Sequence, residues 1–233
     1  MTTPRYVIAA PQQASLPIVG KEQRFPVHRI YCVGRNFAAH SVEMGHDPDK
    51  EPPFFFQKSP TTLITDGGAL TYPTATQDVH HEVELVVALA KGGDNIPVEQ
   101  ALAHVYGYAV GLDMTRRDIQ AEMKKKGRPW DTAKNFEGAA PCGAIRQAAE
   151  IGHPNHEKIW LKINGELKQE GYLDQMIWKV PEVIAQLSRL FRLQPGDLIM
   201  TGTPSGVGPV SVGDTLEGGV EGVGTLTTYI TER

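Results

Sequence analysis

Residues 80–89, HHEVELVVAL, open with charged residues alternating with valine and end as an unbroken apolar run. Alternation with a period of two marks a strand with one face covered, and a short continuous apolar run marks a strand covered on both. The stretch therefore reads as a strand that enters the core with one polar end. Glu82 and Glu84 stand at that end, two residues apart, so their side chains project from the same face.

The pattern of short strands and turns continues outward. RIYCVG (29–34), FFFQ (54–57) and HVYGYAVGLD (104–113) read as further strands, and the last leaves Asp113 at a strand-to-helix junction. KIWLKINGELKQEG carries Asn164-Gly165 between two alternating runs, the signature of a type I′ hairpin. Few helices are predicted. One runs from Met114 to Lys125 and stops at Gly127 and Pro129, and one runs from about Pro181 to Phe191. A short one over Phe37–Met44, capped by Asn36 and closed by Gly45, precedes the turn-rich loop GHDPDKEPP (45–53). The fold class is α+β with strands dominant, arranged as a short N-terminal extension (1–27) and one domain (28–233).

Composition agrees. The 233 residues include 24 glycines and 17 prolines, a share above the roughly 12% average for the two together and without a fixed period, which favours strands and turns over a helical bundle. The formal net charge of −4 and a pI near 6.1 provide no basic field for nucleic acid. No run reaches the roughly 18–20 apolar residues of a membrane span. Cys32 and Cys142 lie far apart without Cys-x-x-Cys spacing, which fits buried thiols in a reducing cytoplasm. Residues 116–134 hold seven Lys/Arg against three Asp/Glu, a local excess suited to a small anionic substrate or to a solvated helix face.

Two carboxylates on one strand face repel unless a cation sits between them, and oxygen ligands suit a hard divalent ion such as Mg²⁺ or Mn²⁺. Asp113 is the candidate third ligand; the same Glu-x-Glu spacing also describes an exposed strand end. His40 and Glu43 are three apart on the short helix, so the carboxylate could hold one ring nitrogen and leave the other as a base toward water. An ordinary surface pair has the same spacing. Arg117 and Gln120 share a helix face just past Asp113, Lys134 lies in a more apolar context that fits either burial or function, and Lys124, Lys125 and Lys126 read as solvated. TGTPSGVGPV (201–210) lacks the ending of a phosphate loop, so its glycines fit close approach to a small ligand with the Thr203 hydroxyl as donor. No nucleophile elbow, His-Glu-x-x-His helix or dinucleotide fingerprint occurs.

In this order the motifs resemble the fumarylacetoacetate hydrolase family from about His28 to the C-terminus. YCVGRNFAAHSVEMG is similar to its lid segment, HHEVELVVAL and GYAVGLDMTRRDIQ to its metal-binding strands, GRPWDTAKNFEGAAPCG to its lysine-bearing segment and TGTPSGVGPV to its substrate loop. KEPPFFFQK, RRDIQ and GRPWD are most similar to the bacterial members that hydrolyse fumarylpyruvate in gentisate degradation. The resemblance implies a β-rich fold around Mg²⁺ or Mn²⁺, assembled as a homodimer. It implies Glu82, Glu84 and Asp113 as metal ligands, His40 and Glu43 as the water-activating dyad, and Lys134 with Gln120 as stabilisers of developing negative charge. Arg117 and Thr203 would hold the substrate carboxylate, with Arg35 and Lys58 as distal cationic contacts. The implied reaction is hydrolysis of a 2,4-dioxo acid to a carboxylate and pyruvate. General acylpyruvate hydrolysis, oxaloacetate decarboxylation, isomerisation of dioic acids and a non-catalytic oligomeric binding role remain alternatives.

Overall fold

The computed structural model describes residues 6–38, 52–65 and 67–233. His40 and Glu43 lie outside the described residues. The deciding strand forms as Val83–Leu89, and every residue in it is buried. Its position explains the apolar run. It sits inside a six-stranded mixed sheet in the order Arg146–Gln147, Val105–Leu112, Val83–Leu89, Leu198–Met200, Ile30–Gly34 and Phe54–Lys58. Leu198–Met200 pairs parallel to Ile30–Gly34 and antiparallel to Val83–Leu89.

Both faces of this sheet are covered. Leu85, Val87 and Leu89 face a core shared with a second, five-stranded sheet, whose Ile159, Leu161, Leu216 and Ile230 join the same cluster. That sheet runs Glu166–Tyr172, Lys158–Ile163, Thr215–Val220, Gly224–Thr231 and Ala69–Thr71. Val86 and Ala88 point the other way, into a smaller cluster with Cys32, Cys142 and Met200. Leu16, Ile18 and Phe25 complete this second cluster; they come from a hairpin of Ser15–Ile18 and Lys21–Pro26 near the start of the chain. Burying a side chain of this size contributes about 1.5–3 kcal/mol, so the hairpin closes that face of the sheet.

The local expectations fare unevenly. Asn164 and Gly165 both have positive φ (51° and 84°), as a type I′ turn requires, and join Lys158–Ile163 to Glu166–Tyr172. The C-terminal helix forms as Val180–Leu190. The helix after Asp113 starts later than expected, at Arg117, because Thr115–Arg116 first pairs with Val79–His81. It runs to Lys126 and ends at Gly127, whose φ of 61° lets its N–H and that of Arg128 turn back onto Lys124 and Met123. Among the described residues Asn36 ties distant segments together. Its side chain donates to the Trp178 and Thr201 carbonyls at 2.9 and 2.8 Å and accepts the Trp178 N–H at 2.8 Å, while Phe37 bridges to Met176. Of the expected short helix, the residues from Ala39 onward fall outside those described. Among the described residues no helix is long and apolar enough to cross a membrane.

Candidate active site

Strand register builds the cluster. Val83 pairs with Leu112, so Glu82 and Asp113 sit side by side just past the end of the ladder, and the Asp113 N–H donates to the Glu82 carbonyl at 2.8 Å. Alternation brings Glu84 to the same face. One oxygen from each of Glu82, Glu84 and Asp113 lies within 4.8 Å of the others, and all three residues are buried.

Lysine and arginine side chains meet these carboxylates. Lys134 Nζ, on the short Asp131–Lys134 helix, donates to Glu82 Oε2 at 2.8 Å and Asp113 Oδ2 at 2.7 Å. Burial alone would lower its ammonium, but the Asp113 and Glu82 carboxylates outweigh that and hold it above the ordinary lysine value. Lys58 Nζ lies 2.8 Å from Asp113 Oδ1 and also donates to the Met114 and Lys134 carbonyls. Arg117 donates through Nη2 to Glu82 Oε1, through Nη1 to Gln120 Oε1 at 2.6 Å and through Nε to His80 Nδ1 at 3.3 Å. His80 in turn holds Asp78 through Nε2 at 2.8 Å.

Glu84 differs from its neighbours because no lysine or arginine among the described residues contacts it. It accepts a hydrogen bond from the Gly202 N–H at 2.7 Å. Burial first, and the Asp113 and Glu82 charges second, push its carboxyl well above the ordinary value. Gly202 has φ 96°, and a Cβ there would stand 2.8 Å from the Asn36 Cβ. Glycine therefore brings this donor to Glu84, and the Asn36 clamp fixes both chain segments. The donor set fits a hard divalent ion: the oxygens are anionic, close together and buried, and the carboxylate lacking a cation is the one most in need of positive charge.

Thr203 follows in the same turn. Gln169 Nε2 donates to its Oγ1 at 2.8 Å and to the Pro204 carbonyl at 2.9 Å, while Gln169 Oε1 accepts the Val83 N–H at 3.0 Å and faces His81 Nδ1 at 2.9 Å. A carbonyl only accepts and a backbone amide only donates, so the orientation of this amide is set. Two consequences follow. His81 carries its proton on Nδ1, and the Thr203 hydroxyl, already an acceptor, has its own hydrogen to donate. Among the described residues no group accepts it, and Thr203 lines the pocket over the carboxylates.

That pocket also brings together Arg35, Gln120, Phe56, Trp130 and Lys124. Gln120 uses its oxygen on Arg117, which leaves its amide donors for the cavity. Arg35 ends the Ile30–Gly34 strand at φ 58°, with its guanidinium 5.4 Å from the Phe54 ring centre. Lys58 does not belong to the pocket wall. It is packed behind Asp113, its side chain sealed from solvent, which corrects its expected role as a distal contact. Lys124 was read as solvated; it lines the pocket, half-buried, while Lys125 and Lys126 are exposed. Its place seven residues after Arg117 and four after Gln120, on the same helix face, was the available signal. A larger depression of ≈ 810 Å³ lies beside Pro11, Pro26, His28 and Arg29, but it is shallow and gathers no cluster of carboxylates.

The comparisons agree with this geometry. The family description "Fumarylacetoacetate (FAA) hydrolase C-terminal" matches residues 29–231. The chain belongs to the fumarylacetoacetate hydrolase family. Within the family it is 46% identical over 187 residues to a fumarylpyruvate hydrolase of Ralstonia sp, covering 78% of this chain and 96% of that protein. It is 45% identical over 194 residues to the mitochondrial oxaloacetate tautomerase FAHD1 of Mus musculus, covering 83% and 87%. A crystal structure of fumarylpyruvate hydrolase from Pseudomonas aeruginosa in complex with Mn²⁺ and pyruvate superposes with a TM-score of 0.96 at 48% identity, covering 98% of this chain and all of that one. The β-rich fumarylacetoacetate hydrolase fold expected from the motifs is thus the fold observed, and a divalent metal is the cofactor of this fold.

Proposed function

We infer that the protein is a divalent-metal-dependent hydrolase of 2,4-dioxo acids, with fumarylpyruvate as substrate and fumarate and pyruvate as products. The observation that carries the reading is the buried Glu82–Glu84–Asp113 cluster, in which Glu84 has no cationic side-chain partner among the described residues, opening into a pocket with cationic and amide donors on its wall. Those three carboxylates would hold Mg²⁺ or Mn²⁺. When bound, the metal supplies positive charge to the carboxylate and 2-oxo group of the substrate.

The residues divide the remaining work. Thr203 presents its O–H to the substrate carboxylate, and Arg117, engaged with Glu82, Gln120 and His80, retains two N–H groups for the same end. His40, oriented by Glu43 three residues on, takes a proton from the water that attacks C4. Lys134 and Gln120 stabilise the oxyanion formed there. Breaking the C3–C4 bond leaves the electron pair on the pyruvate fragment, which takes up one proton at C3, while C4 becomes the carboxylate of fumarate. Residues 28–233 form the catalytic unit, and residues 1–27 extend it. We place the enzyme in gentisate degradation, in the cytoplasm and as a homodimer, as the family resemblance implies.

The likeness to the mouse oxaloacetate tautomerase supports a second reading in which the same site interconverts keto and enol forms of oxaloacetate. Such a reaction needs no water attack. The test follows absorbance of fumarylpyruvate, acetylpyruvate and oxaloacetate with EDTA-treated enzyme, with and without Mn²⁺, and quantifies products. Metal-dependent release of equal fumarate and pyruvate is expected. Tautomerisation of oxaloacetate without cleavage of either acylpyruvate would overturn the hydrolase reading.

A further inference from the structure

Lys124 has no anionic partner among the described residues. Among the described residues it makes no ion pair or hydrogen bond, although Lys126 two residues on is paired with Glu122. Its ammonium stands 5.2 Å from the Trp130 ring centre. It lines the pocket that holds Glu82, Glu84 and Asp113, together with Arg35, Arg117 and Lys134, so the cations beside it are of its own sign. Burial, followed by Arg117 and Arg35, makes its charged form harder to keep.

At the inner end of the pocket Lys58, Lys134 and Arg117 pair with Glu82 and Asp113, and Glu84 is left to the metal. Lys124 takes no part in those pairs, and a half-buried cation of this kind is stabilised best by an anion brought in with a ligand. Trp130 holds the ammonium by its face, and the helix ending at Gly127 fixes the side chain within one turn of a well-formed cap.

We propose that Lys124 binds the distal carboxylate of a dianionic substrate and so makes the site selective for 2-oxo dicarboxylates over 2-oxo monocarboxylates. The proposal rests on the placement of the metal and 2-oxo acid end given above, and its test separates the two. Calorimetric titration of the Mn²⁺-loaded protein with pyruvate and with 2-oxoglutarate measures the two ligand classes without any turnover. In Lys124→Met, affinity for 2-oxoglutarate falls about 10- to 100-fold, the worth of a charge-assisted hydrogen bond, while affinity for pyruvate and for Mn²⁺ changes far less. Lys124→Arg recovers most of the loss. With substrates, Lys124→Met lowers kcat/KM for fumarylpyruvate through KM far more than for acetylpyruvate. Equal loss for both classes, or loss for neither, would overturn the specificity role. Failure of wild-type cleavage with the dicarboxylate preference intact would instead count against the hydrolase reading alone.

Discussion

Two helices of similar length hold their places for different reasons. Val180–Leu190 buries Val180, Val183, Ile184 and Leu187 in the core between the sheets, and Glu182 Oε2 accepts the Lys179 N–H at 2.9 Å at its start. Arg117–Lys126 buries only Gln120. What fixes it is polar: Asp118 accepts from the Thr76 hydroxyl at 2.6 Å and the Gln77 N–H at 3.0 Å, and the Arg117 N–H donates to the Asp78 carbonyl at 2.7 Å. The first helix belongs to the fold and the second to the site. Where apolar burial does not explain a position, the chemistry of its polar contacts does.

The sharpest break of this comparison comes from the carboxylate cluster. Glu84→Ala should abolish Mn²⁺ binding and lower kcat/KM by about a thousandfold or more, since a metal supplies several kcal/mol to the reaction. Its melting temperature should hold or rise, because like-charge repulsion is relieved. Calorimetry and thermal melts check both, and retained Mn²⁺ affinity would remove Glu84 from the ligand set. Leu187→Ala in the core helix should do the reverse, costing about 2–5 kcal/mol of stability while leaving Mn²⁺ affinity within about twofold; denaturant titration measures it.

Gln169→Glu lies between these extremes. A carboxylate cannot donate to Thr203, so the hydroxyl turns back toward residue 169 and its hydrogen is lost to the substrate. KM should rise about tenfold, one charge-assisted hydrogen bond, with Mn²⁺ binding retained. In a Thr203→Ala background the same change should add little, and additive losses would show that Gln169 does not act through Thr203. The smallest effect concerns Asp118. Burial would raise its carboxyl, but the hydrogen bonds from Thr76, Gln77 and Ile119 outweigh it and hold it below the ordinary value. A depressed folded value contributes stability above the unfolded one, about 3.9, and that contribution is lost as pH falls through the folded value. Amide protection factors over 117–126, taken relative to the intrinsic exchange rate at each pH, should therefore fall in acid, and Asp118→Asn should remove that pH dependence; an unchanged acid limb in the variant would contradict the assignment.

The comparison also marks what the chain discloses locally. Glu82 and Glu84 were legible because strand alternation is a rule of nearest neighbours, and the Asn164-Gly165 hairpin because both residues tolerate positive φ. Asn36 has partners its local sequence does not disclose: Trp178 and Thr201 come from distant parts of the chain. Lys58 and Lys124 exchanged expected places for a related reason. Lys58 ends an edge strand, where alternation alone does not say which face is covered, and it turned inward behind Asp113. Lys124 was hidden in a run of three lysines, of which only the one on the Arg117–Gln120 face reaches the pocket. The Gln169 network was missed because it joins the two sheets across residues 81, 83, 169 and 203.

The central claim is that Glu82, Glu84 and Asp113 form the metal site, and it is tested most directly by an anomalous-difference map from crystals soaked in Mn²⁺. The account predicts one strong peak at roughly 2.0–2.3 Å from an oxygen of each carboxylate, with the Lys134 contacts to Glu82 and Asp113 rearranged. A peak elsewhere, or none at Mn²⁺ concentrations that support turnover, would contradict it.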